Sequence, residues 1–136
     1  MQYLIESKNI RIEYAPERIA LAVHVSGSEI VWQWADGGKL RLGDGTELLF
    51  SSGECQSCAC KRGRVDGVKA TYTNLRDAQG KMYPFTVETF VGVDQNTDLL
   101  RVQAAVTGDE PGNIAALVYP PRMQFDAPEG DRKSVV

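Results

Sequence analysis

The sequence is poor in most of the features that announce a chemistry. It has one histidine, His24, in 136 residues, which excludes any multi-histidine metal site, and no Ser-His-Asp order or nucleophile elbow is present. No apolar run approaches the roughly 20 residues that span a bilayer as a helix. The start "MQYLIESKNIRIEY" lacks a basic head followed by an apolar core. No membrane contact and no secretory leader are therefore expected, and Met1 without a leader points to the cytoplasm. Basic residues are outnumbered: 15 Lys and Arg against 18 Asp and Glu give a net charge of −3. A nucleic-acid surface needs a concentrated basic face, so no nucleic-acid partner is expected. The densest basic cluster, Lys61, Arg62 and Arg64, reads as a solvated loop. The glycine clusters have neither phosphate-loop nor dinucleotide spacing. A helical stripe at i, i+3, i+4 and i+7 appears nowhere.

What the chain does have is alternation. Ile19, Leu21, Val23 and Val25 alternate with Ala20, Ala22 and His24; Phe85, Val87, Thr89, Val91 and Val93 alternate with Thr86, Glu88, Phe90 and Gly92. Leu100, Val102, Ala104 and Val106 repeat the rhythm. Successive side chains of a strand point to opposite faces, so each stretch presents one apolar side and one mixed side. Further strands are expected at 2–6, 9–14, 29–34, 39–42, 46–51, 67–73 and 113–119. Turn clusters such as Ser26-Gly27-Ser28 and Gly43-Asp44-Gly45 separate them. Many short strands at this spacing, with no crossover helix, predict an all-β antiparallel sandwich, alone or as part of a larger supersandwich. One domain over 1–122 is expected. Tyr119-Pro120-Pro121 ends its last strand, and 123–136, with Pro128, Gly130 and several charges, reads as a mobile tail or truncated linker.

All three cysteines fall in "GECQSCACKRG". The spacing of Cys55, Cys58 and Cys60 would put three thiolates around one soft cation. A closed zinc site needs a fourth ligand, and His24 serves only if its strand meets this segment. The usual second C-x-x-C pair is missing. A thioredoxin-like site wants its C-x-x-C at a helix N-terminus, whereas this segment lies between strands. It reads as a surface connection, and no cofactor is expected; Cys55, Cys58, Cys60 and His24 define the metal alternative. Three cysteines cannot all pair within one chain, which suits a reducing compartment.

Trp32 and Trp34 are two apart and share a strand face. Paired aromatics on an open face stack on sugar rings, but the commoner role of such a pair is core packing. Glycosidase chemistry needs two carboxyls roughly 5–10 Å apart across one bond. Asp36, Asp44, Glu47, Glu54, Asp66 and Glu88 are available, mostly in turns, and nothing in their spacing makes two of them converge.

The opening "NIRIE", the strand at 19–25 and the turn into Trp32 or Trp34 are similar to the first strands of the galactose-mutarotase-like β-sandwich modules that precede the catalytic barrel in bacterial glycoside hydrolases. The run from Gly67-Val68 through Tyr72, "FTVETFV" and "LLRVQAAV" to Pro120-Pro121 resembles the later part of such a module. The cysteine segment lies outside that pattern, and the chain is shorter than such a module. The resemblance implies a non-catalytic module that braces a barrel of the same polypeptide and contributes a loop to the sugar cleft; from their adjacency at a strand end, Trp32, Trp34 and Asp36 are the residues expected to contact carbohydrate. A stand-alone binding or assembly β-domain is the alternative.

Overall fold

The computed structural model describes residues 2–34, 37–108, 113–120 and, for the backbone, 123–126. Among these residues there are fourteen strands and two short 3-10 turns. The protein is an all-β antiparallel sandwich, as the alternation requires. One sheet contains β1 (Tyr3–Glu6), β2 (Ile10–Ala15), β3 (Ala20–Val25), β4 (Val31–Trp34) and β14 (Met123–Asp126), in that order. The segment 123–126 was expected in the tail, yet its backbone pairs with β4, Met123 opposite Trp34. A second sheet runs β12 (Leu100–Thr107), β11 (Thr86–Asp94), β8 (Val65–Thr73), β7 (Glu54–Arg62). A third runs β13 (Ile114–Val118), β5 (Lys39–Leu42), β6 (Glu47–Leu49), and β9 (Leu75–Arg76) pairs with β10 (Met82–Tyr83) as a small hairpin.

The four-stranded sheet is the floor of the sandwich. Val68, Val91 and Val93 of one half of its inner face pack against Ile5, Ile12, Tyr14, Leu21 and Val23 of the five-stranded sheet. Ala70, Tyr72 and Val87 of the other half pack against Leu40, Leu42, Leu48 and Phe50, from the three-stranded sheet and the turn that follows it. Burial of this apolar area, at roughly 25 cal/mol per Å², is what holds two small sheets on a common floor. Aromatic rings fill the junction. Phe50 stacks on Tyr72 with centroids 5.5 Å apart, and Tyr119 meets Phe50 at 5.6 Å.

One end of the sandwich is tied by carboxylates. Asp98 holds a left-handed backbone conformation, which Asp tolerates better than most residues. Its carboxylate accepts bonds from Ser7 Oγ at 2.5 Å and Asn9 Nδ2 at 2.8 Å. Asp94 accepts from the backbone N–H of Asn96 at 2.8 Å and of Thr97 at 3.1 Å, and Arg64 Nε donates to it at 3.3 Å. The backbone bond from Asn96 chiefly, with Thr97 and Arg64, holds Asp94 below the usual carboxylate range; Ser7 and Asn9 do the same for Asp98. A carboxylate depressed in the folded state stabilises the fold above its unfolded pKa near 4 and loses that contribution as pH falls through the folded value. The urea midpoint is therefore expected to drop between pH 7 and pH 3, and Asp98→Ala is expected to shrink that difference. An equal drop in the variant would show that the clamp does not titrate with folding.

Candidate functional site

The two tryptophans lie on β4, where Trp32 pairs with Val23 and Gln33 with Ala22. This register turns both indoles toward the interior. Both are half-buried and pack against the core clusters. Trp34 and Tyr14 meet in a T-shaped contact at 5.8 Å, and Trp34 and Tyr119 in another at 5.5 Å, so the indole is engaged in the sandwich. Asp36, the acid expected beside them, lies outside the described residues.

The outer face of the same sheet is different. Ala15, Ala20 and Ala22 leave a shallow floor, and an open groove of about 260 Å³ forms over it. Glu13, Arg18 and Gln33 line this groove, and Trp34 reaches it at one end. Three planar polar groups (a carboxylate, a guanidinium and an amide) around a small-residue floor suit the hydroxyls of a sugar ring, which donate and accept in pairs. His24 Nε2 stands 3.6 Å from Glu13 Oε1, and Arg11 Nη2 stands 4.0 Å from the same oxygen. The sequence reading missed Glu13, Arg18 and Gln33. The available signal was the mixed side of β2, β3 and β4, where small and planar polar residues alternate with the core positions.

The cysteine segment is strand β7, correcting its reading as a connection. Cys55 pairs with Tyr72, Cys58 with Lys69 and Cys60 with Gly67. Since Tyr72 faces the core, Cys55 does too, while Cys58 and Cys60 face outward. The three thiols are free, and alternation divides them between two faces of one sheet. His24 belongs to another sheet. Among the described residues no group of three or more His, Cys, Asp or Glu side chains is placed to hold a metal. Burial, then the Glu17 carboxylate, pushes the Cys55 thiol up, which disfavours the thiolate a nucleophile needs.

No family model matches the sequence, and no match is found among curated proteins. Solved structures do match. The chain superposes on the α-N-acetylgalactosaminidase NagBb of Bifidobacterium bifidum in its GalNAc complex, with a TM-score of 0.72 and 14% identity. The Gal-NHAc-DNJ complex of the same enzyme gives 0.71 and 15%. This chain shares its fold with a segment of that enzyme. The match covers 91% of this chain and 19% of the enzyme chain, so this chain spans about a fifth of it, and likeness at this identity concerns the fold alone.

The interior aromatic cluster contains three buried phenols. Tyr72 donates to the Pro16 carbonyl at 2.8 Å. The buried Tyr14 and Tyr119 hydroxyls meet hydrogen-bond geometry with nothing among the described residues. Burial pushes all three phenols up, so they stay neutral at any ordinary pH.

Proposed function

We propose that this chain is a non-catalytic β-sandwich module of a glycoside hydrolase, one that braces a catalytic barrel and touches carbohydrate through the groove on its five-stranded sheet. One observation carries the reading: nearly the whole chain matches a minor part of a larger α-N-acetylgalactosaminidase. The sugar contact rests on Glu13, Arg18 and Gln33, whose side chains line one depression. Trp34 closes one end of it rather than serving as the stacking platform.

Three observations test this. Incubated with aryl α-N-acetylgalactosaminides and related aryl glycosides, the chain is expected to release no aryl alcohol above the buffer blank. Turnover that survives repurification would overturn the non-catalytic reading. In an amide-resolved NMR titration with GalNAc, shifts are expected at Glu13, Ala22 and Gln33. Their absence at tens of millimolar sugar removes the contact and leaves the bracing role standing. A genomic neighbourhood without a glycoside-hydrolase barrel would remove the bracing role as well.

A further inference from the structure

We propose that β7 is a self-association edge: two copies of this chain join β7 to β7, antiparallel about Cys58, and continue the four-stranded sheet from one copy into the other. The inference is independent of the module reading.

β7 is nine residues long. Its register with β8 runs without a break from Glu54 opposite Thr73 to Arg62 opposite Val65. It is the last strand of its sheet, so among the described residues no strand pairs with its other side. A regular edge of this kind presents a row of backbone N–H and C=O groups that can template a further strand. Natural edges are blunted by proline, a bulge, short length or charge. None of these interrupts Cys55–Cys60, where the side chains are small or uncharged and allow close backbone approach.

The charges decide who the partner is. Glu54 stands at one end of β7, with Lys61 and Arg62 at the other. Paired antiparallel about Cys58, Glu54 of one copy faces Arg62 of the other, Gln56 faces Cys60, and Ser57 faces Ala59. Opposite charges meet at both ends, which favours cross-strand pairing. A parallel arrangement would set Glu54 on Glu54 and Arg62 on Arg62. The strand therefore complements its own reverse.

At the axis Cys58 meets its own copy. Directly opposed residues of an antiparallel pair have Cα atoms about 4.5–5.5 Å apart, inside the range a disulfide bridges. Cys58 is exposed on the outer face. Cys60 faces Gln56 instead; its own copy would lie four residues along, about 14 Å away.

That difference supplies the test. Two variants of this chain, Cys55→Ser with Cys60→Ser and Cys55→Ser with Cys58→Ser, are treated with half an equivalent of dipyridyl disulfide. One thiolate displaces the first thiopyridone to give a mixed disulfide. The thiolate of the second copy then displaces the second, so two thiols become one disulfide while the reagent is reduced to two thiopyridones. The variant retaining Cys58 is expected to run mainly as a covalent dimer on a non-reducing gel, and the variant retaining Cys60 as a monomer. Equal cross-linking of both, or none with Cys58, overturns the proposal.

Sedimentation of the unmodified chain under reductant is expected to show concentration-dependent dimer. Glu54→Lys should weaken it at least tenfold, because symmetry counts the clash twice, with an unchanged circular dichroism spectrum confirming the fold. A monomer at every concentration, or association indifferent to Glu54→Lys, overturns it too.

Discussion

Replacing Trp34 by alanine is expected to lower stability by about 3 kcal/mol, near the bottom of the range for removing a packed aromatic, because the residue is half-buried. Trp34 packs against both core clusters. Its ring touches Tyr14 of the five-stranded sheet and Tyr119, which leads on to Phe50 and Tyr72. The indole therefore bridges the junction at which two sheets share one floor, and its loss leaves a hole that neither sheet can close alone. For a domain of this size the melting temperature should fall by roughly 12 °C. Trp34→Phe keeps one ring against Tyr14 and should recover about half of that. A stacking platform would behave in the opposite way, with melting unchanged and glycan affinity lost. Melting curves and sugar titrations on the same preparations separate the two.

That expectation also shows what the sequence could convey. The alternation in β3, β11 and β12 was legible because valine, leucine and isoleucine mark most of the alternate positions, and their observed bounds fall within a residue or so of the expected ones. The same rhythm in β7 was hidden. Its inward positions are Cys55, Ser57 and Ala59, too small and too nearly polar to stand out from Gln56, Cys58 and Cys60. β14 has its alternation too, in Met123 and Phe125 against Gln124 and Asp126, but four residues before a proline carry little weight without the partner strand.

The site was less legible still. That Trp32 and Trp34 share a face followed from spacing, whereas which face it is depends on the register with Val23, a long-range fact. The groove over Ala15, Ala20 and Ala22 needs three strands laid side by side before Glu13 and Gln33 become neighbours. No local pattern could join them.

Gly67→Ala is expected to cost about 3 kcal/mol, at the upper end of overpacking. Phe90 explains why. It lies on the outer, mixed face of β11 and is nevertheless only 1% exposed. Gly67 and Gly92 face each other across β8 and β11, and the ring lies over the pair. Arg62 covers it from above, its guanidinium carbon 4.1 Å from the ring centroid, and donates to Gln103 Oε1 at 3.0 Å. This cation–π lid buries an aromatic where water would otherwise reach.

A Cβ at Gly67 would sit 2.4 Å from the Val91 carbonyl oxygen and 2.7 Å from Phe90 Cζ. A side chain tip could swing away. The carbonyl cannot, because Val91 is held between Val68 and Val102 in two ladders. Shrinking the ring with Phe90→Leu should therefore return less than half of the loss in the double variant. Gly63→Ala is the control: it has positive φ and open space around it, so only backbone strain of about 1 kcal/mol applies. Urea midpoints for the four proteins decide the matter. Full rescue by Phe90→Leu, or equal losses at Gly67 and Gly63, would mean that the backbone of β11 gives way and that the outer face of this sheet is softer than its paired strands imply.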